Sequence, residues 1–233
     1  MTVFCIVILI TLIGFILQFK IPFYRYAPER FESIIEQFEQ DEKLKPSLPN
    51  SVLFYGSSSI RLWSESIQQD FPNSNVVVRG FGGSMMHDLL FYFDRIVLPV
   101  KPDFLFIYAG ENDVSGHIWP NTILNKFTEL LEKVESELPN TKVYFISIKP
   151  SPHRWFIREE QQQINQLIRE LAEHSKKLTY IDIGPSMLNL NQKPDLQLFQ
   201  PDGIHMSALG YDRWTKVIKP ILKEDINKTS ESE

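Results

Sequence analysis

Hydrophobic positions along the chain fall into three regimes. From Thr2 to Phe19 the run TVFCIVILITLIGFILQF carries no charge until Lys20 and is apolar on every face. At the rise of an α-helix such a run reaches roughly 27 Å, close to the hydrocarbon thickness of a bilayer. The bulky flank FILQFKIPFY lacks the small-x-small site of a cleaved signal peptide, so the pattern predicts an uncleaved single-pass anchor over residues 1–20. Phe19, Phe23, Tyr24 and Tyr26 suit a membrane interface, and Lys20, Arg25 and Arg30 follow the span with no cation before it. So short a head leaves the orientation open.

The second regime is APERFESIIEQFEQDEKL, Ala27 to Leu44, where Phe31, Ile34, Ile35 and Phe38 recur at helical spacing among charges. That pattern predicts an amphipathic helix packed on the domain and ended by KPSLPN, so residues 21–50 form a helix and linker. The third regime alternates short β-rich runs, SVLFYG, NVVVRG, DFLFIYAG, KVYFISIK and LTYIDIG, with helical stretches. DFLFIYA and VYFISI are nearly continuous in apolar residues, as strands covered on both faces are. The expected fold class is α/β: a three-layer α/β/α sandwich around a five-stranded parallel sheet, spanning 51–222. The polar end EDINKTSESE reads as a frayed tail over 223–233. In such a sheet ligands bind beyond the carboxyl ends of the strands, near the point where strand order reverses.

Composition changes the picture only by exclusion. With 43% hydrophobic and 23% charged residues in 233, the chain has the make-up of one folded domain plus a terminal extension. A net charge of −5 and the lack of a basic stripe argue against a nucleic-acid surface. The single cysteine, Cys5, allows no internal disulfide and no multi-cysteine metal site. His87, His117, His153 and His174 lack metal-ligand spacing and read as surface or satisfied core groups.

The chemistry concentrates after the strands. Gly56-Ser57-Ser58-Ser59 follows the first, RGFGGSMM (Arg79–Met86) closes the second, AGENDV (Ala109–Val114) closes the third, and QPDGIHMSALGY (Gln200–Tyr211) precedes the last helix. Acyl transfer needs a nucleophile, a base, a group that orients the base, and N–H donors for an oxyanion. A serine of the triplet, His205, Asp202, and Gly83 with Asn112 are of the right types for these parts. Three serines before a helix serve equally well as a cap, and Asn112-Asp113 and Asp202-Gly203 equally well as turns. A dinucleotide loop starting at Gly80 would require glycine where Met85 stands.

In this order and these positions the four blocks resemble those of the SGNH (GDSL-type) hydrolase superfamily, and RGFGGS and HMSALGY resemble its group containing platelet-activating-factor acetylhydrolase catalytic subunits and bacterial relatives. The resemblance implies a flavodoxin-like fold, Ser58 as nucleophile with Ser59 as the fallback, and Asp202 and His205 as its partners. It implies an oxyanion hole from the Ser58 and Gly83 N–H groups and the Asn112 amide. Ser57 stands where the family has aspartate, so the resemblance implies that Ser57 braces the turn by hydroxyl bonds or not at all. Trp155, in KPSPHRWF after the fourth strand, is the candidate aromatic for substrate contact. The implied activity is that of a serine esterase acting on a small acyl ester through an acyl-enzyme, with no metal or organic cofactor. A silent membrane-tethered binding module and an acyltransferase are the other classes compatible with the fold.

Overall fold

The computed structural model describes residues 27–230. The apolar run expected to anchor the chain lies outside the described residues, among which no helix is long and apolar enough to cross a membrane. Strands β1 (Ser51–Gly56), β2 (Asn75–Gly80), β3 (Phe104–Tyr108), β4 (Lys142–Ile146) and β5 (Leu178–Ile181) form one parallel sheet in the order β2-β1-β3-β4-β5. All five lie within the runs that the apolar pattern marked. The pattern overshoots at the end of β5, because the Asp182 carboxylate accepts the Gly184 N–H at 3.0 Å and turns the chain out of the sheet.

Alternation along each strand divides the core in two. Leu53, Tyr55, Leu105, Ile107, Val143 and Phe145 face one layer, which is built from α1 (Glu32–Leu44), α3 (Met86–Ile96), α5 (Pro120–Glu137) and α6 (Arg158–Glu173). Val52, Phe54, Phe106 and Tyr144 face the other, where α2 (Ser58–Trp63) and α7 (Ala208–Ser230) lie. On that second face Phe54, Phe106 and Tyr144 stack from strand to strand, with ring centroids 4.8 and 4.3 Å apart. Each such pair contributes about 0.5–1.5 kcal/mol beyond its buried area.

The amphipathic stretch forms a single 3₁₀ turn, Pro28–Phe31, followed by α1. Ile35 is buried on the first layer with Ile34 and Phe38 packed beside it. Charge fixes its register: Arg95 bonds both Glu32 and Glu39 at 2.7 Å, Arg79 bonds Glu42 at 2.8 Å, and Arg30 bonds the buried Asp88 at 2.6 Å.

The C-terminal expectation needs correction. The helix does not end near residue 222 in a frayed tail but runs through to Ser230. Leu222 is buried and Ile226 packs on the second core layer, while Asp225 accepts the Tyr144 hydroxyl at 2.6 Å and lies 3.6 Å from Lys142. Contacts to β4 thus hold a segment whose composition reads as tail.

Two strand ends approach other backbone too closely for a side chain. A Cβ on Gly56 would lie 2.2 Å from the Tyr108 carbonyl oxygen, and one on Gly80 would lie 2.3 Å from the Arg61 nitrogen. Backbone cannot swing aside as a side chain can. Gly56→Ala should therefore lower the unfolding free energy by about 3 kcal/mol or more. Gly82→Ala, whose new Cβ meets only the flexible Arg61 side chain, should stay within about 1 kcal/mol of the parent. Urea unfolding midpoints at equal m-values check both.

Candidate active site

The site begins where β1 ends. The Ser57 N–H donates to the Tyr108 carbonyl at 3.1 Å and the Phe81 N–H donates to the Gly56 carbonyl at 3.0 Å, tying the turn to the ends of β3 and β2. The Ser57 carbonyl then accepts the Ile60 and Arg61 N–H groups, each at 3.1 Å, and α2 starts. Ser57 occupies the N-cap in extended conformation, yet its side chain makes no cap hydrogen bond. Backbone therefore braces this turn. Successive residues of a helix point about 100° apart, so Ser58 and Ser59 diverge. The Ser58 Oγ lies 3.0 Å from His205 Nε2, whereas the buried Ser59 Oγ accepts from Lys149 Nζ at 3.3 Å. The three adjacent hydroxyls thus occupy three different environments.

His205 reaches Ser58 from the loop after β5. There the Gln200 N–H donates to the His205 carbonyl at 2.7 Å, and Gly203 turns the chain at φ +65°. The His153 N–H donates to the Gly203 carbonyl at 3.0 Å, which clamps this loop to the one after β4. Asp202 Oδ2 lies 2.6 Å from His205 Nδ1, while its Oδ1 accepts the Ile204 and His205 N–H groups at 2.8 and 2.9 Å. Partial burial raises the Asp202 pKa, but the Ile204 N–H, the imidazole and the His205 N–H together outweigh it and hold the carboxyl at about 2. The carboxylate persists through neutral pH and accepts the Nδ1–H, which turns Nε2 towards the Ser58 hydroxyl. This depressed value supports the fold above about pH 4, and the support is lost as pH falls towards 2.

Two further loops complete the rim. Gly83 follows β2 at φ +83°, and a Cβ placed on it would meet nothing within 4 Å, so its backbone borders open space. Gly110, at φ +103°, turns β3 into α4 (Glu111–Ser115). The Asn112 Nδ2 donates to the Ser84 carbonyl at 3.0 Å, and its Oδ1 accepts from Arg154 Nη2 at 3.1 Å. Asn112 thereby spans the loops after β2, β3 and β4. Beside it Asp113 Oδ1 accepts the Met86 N–H at 2.9 Å and pins the start of α3, while Oδ2 is buried with no hydrogen-bond partner. Burial raises the Asp113 pKa to about 6, countered only in part by the Met86 N–H and its own.

The fold therefore gathers Ser58, His205, Asp202, Gly83 and Asn112 at the carboxyl edge of one sheet, around the reversal of strand order between β1 and β3. Trp155 is placed differently from these. It is half-buried in a 3₁₀ turn with Lys193 Nζ 4.7 Å from its ring centroid, so a cation already covers one face. Its neighbour Arg154 is the residue that reaches Asn112. Sequence reasoning missed Arg154, Glu111 and Lys149, which join beneath the site; the one available signal was a lysine closing the buried apolar run YFISIK.

The GDSL-like Lipase/Acylhydrolase family model matches residues 33–213, and the chain belongs to this family. Its class of activity is that of a serine hydrolase acting on ester bonds. The match starts inside α1, so this helix is part of the family domain. Among curated relatives, the human platelet-activating factor acetylhydrolase IB subunit alpha1 is 22% identical over 200 residues, covering 83% of each chain. Among solved structures, a GDSL-like lipase from Bacteroides thetaiotaomicron superposes with a TM-score of 0.71 at 22% identity, covering 82% of this chain and 98% of that one. A catalytic mutant of an acetylxylan esterase from Geobacillus stearothermophilus gives 0.61 at 15% identity, covering 76% and 96%. These superpositions place the sheet and its layers in the SGNH hydrolase fold.

The raised Asp113 pKa has a stability consequence of definite sign. Because the native carboxyl holds its proton more tightly than the unfolded one, its contribution is full below about pH 4 and is lost as pH rises through about 6. The loss is on the order of 3 kcal/mol. Urea unfolding of Asp113→Asn across pH 4–7 should show this falling component removed relative to the parent.

Proposed function

We propose that the protein hydrolyses a small acyl ester with Ser58 as nucleophile, His205 as general base and Asp202 as the group that orients the imidazole. The observation that carries this reading is the continuous line of short contacts, Ser58 Oγ to His205 Nε2 at 3.0 Å and His205 Nδ1 to Asp202 Oδ2 at 2.6 Å. As Ser58 attacks the ester carbonyl, His205 takes the hydroxyl proton and Asp202 stabilises the imidazolium. The tetrahedral oxyanion receives the N–H groups of Ser58 and Gly83 and the amide of Asn112, and removal of one such donor typically costs about 10²–10³ in rate. His205 then returns the proton to the departing alcohol, an acyl group remains on Ser58, and water activated by the same histidine releases the acid.

Ser57 in place of the family's aspartate does not weaken the reading, because backbone hydrogen bonds to β2 and β3 hold this turn. Human platelet-activating factor acetylhydrolase and the Geobacillus acetylxylan esterase carry acetyl in their names, which favours a short acyl group. The run Thr2–Phe19 would tether the domain to a membrane. The first described residues pack on α3, where the Pro28 carbonyl accepts the Tyr92 hydroxyl at 2.9 Å midway along the helix and Arg30 bonds Asp88 in its first turn.

A fluorophosphonate probe should form its adduct on Ser58, identified by peptide mass spectrometry. Ser58→Ala should abolish the adduct, and Ser59→Ala should retain it. An adduct on Ser59, or none on a folded protein, would refute the assignment. The full chain should remain with membranes after alkaline carbonate washing, while residues 21–233 alone should be released.

A further inference from the structure

We infer that Arg154, held by the buried Glu111–Lys149 pair, is a positioning residue that fixes and polarises the Asn112 amide for the oxyanion. This rests on the proposed oxyanion role of Asn112. A side-chain amide has two orientations of nearly equal shape, and the character of its neighbours selects one. Arg154 can only donate and the Ser84 carbonyl can only accept, so Oδ1 faces Arg154 at 3.1 Å and Nδ2 faces Ser84 at 3.0 Å. The second N–H of Nδ2 is thereby assigned to the reacting centre. A guanidinium on Oδ1 also draws electron density from the amide and strengthens its N–H as a donor.

Arg154 is itself constrained. Its Nη1 lies 3.3 Å from Glu111 Oε1, and Glu111 Oε2 accepts from Lys149 Nζ at 2.5 Å and from the Tyr108 hydroxyl at 2.8 Å. Lys149 is fully buried and also donates to Ser59 Oγ at 3.3 Å. The chain of contacts Ser59–Lys149–Glu111–Arg154–Asn112 therefore joins the turn that carries Ser58 to the residue that would receive the oxyanion. Burial alone would raise the Glu111 pKa, but Lys149 and Arg154 more than reverse this and keep it a carboxylate. One carboxylate with two cations leaves a net positive group behind Asn112, the sign that favours developing negative charge. An ion pair alone would not require the third member, since Lys149 already neutralises Glu111.

The test is a double-mutant cycle on the full-length protein in detergent, read as the second-order rate of Ser58 phosphonylation by a fluorophosphonate. This reaction builds negative charge at the same oxygen without requiring the natural ester. Asn112→Ala should slow labelling about 100-fold, Arg154→Ala should slow it about tenfold or more, and the double variant should lie within about twofold of Asn112→Ala. Added guanidinium ion should restore part of the rate to Arg154→Ala but not to the double variant. A merely structural role predicts the same factor for Arg154→Ala in both backgrounds, and that result, or no effect of either single variant, would overturn the inference. If Arg154→Ala does not fold, Arg154→Lys, which replaces the two-nitrogen fork that spans Asn112 and Glu111 with a single ammonium, is read against the same expectations. Failure of the parent to label on Ser58 would instead overturn the esterase reading itself.

Discussion

The close approach of β1 to β3 at their carboxyl ends is the constraint on which the site depends. Gly56 passes so near the Tyr108 carbonyl that no Cβ fits, and the next residue donates its N–H to that same carbonyl. The chain can then turn directly into α2 with Ser58 on its first turn, facing outward over the sheet edge. With β2 on one side and β3 on the other, the loops bearing Gly83 and Asn112 arrive beside Ser58 without any long excursion. His205 and Asp202 come from far along the chain, and their loop is held by a backbone hydrogen bond from the β4 loop. Reversal of strand order creates this crevice in open parallel sheets.

Beneath the crevice the protein buries a carboxylate and an ammonium group against each other. Glu111 and Lys149 are both buried, and such a pair is seldom a net source of stability against an apolar alternative because each ion must leave water. Its bonds run to Tyr108, Ser59 and, through Arg154, to Asn112, all of them at the carboxyl edge. Orientation of polar groups at the site is what this arrangement supplies. Asp202 remains ionised because N–H groups and the imidazole surround it, whereas Asp113 retains a proton to higher pH because burial penalises its charged form. Two aspartates with similar sequence surroundings, each beside a glycine or asparagine, thus behave in opposite ways.

The strands were legible because a parallel sheet covered on both faces requires nearly continuous apolar runs, and few other elements do. Ser-Gly-Asn-His blocks after those strands were legible for the same reason: strand ends are visible in the pattern, and polar clusters just beyond them stand out. The tail was misread because EDINKTSESE is polar in composition, while the contacts that keep Asp225 and Ile226 in a helix come from β4 and the second core layer, some eighty residues away. Trp155, the aromatic candidate for substrate contact, has Lys193 over its ring, and the adjacent Arg154 makes a contact to Asn112 that no local pattern marks.

By itself the sequence determined the layer architecture and the strand count, since hydrophobic periodicity suffices for both, while the family and the residues of a candidate site came from the resemblance of its four post-strand blocks to the SGNH superfamily. Tertiary structure alone decided which of three chemically identical serines faces the imidazole, because that depends on where helix α2 begins and on the rotation between its successive residues. It alone brought Glu111, Lys149 and Arg154 together, since their pairing crosses about forty residues and is invisible to any local pattern. It alone separated Asp113 from Asp202, because the charge state of a carboxyl follows from its burial and hydrogen-bond partners, which exist only after the chain has folded.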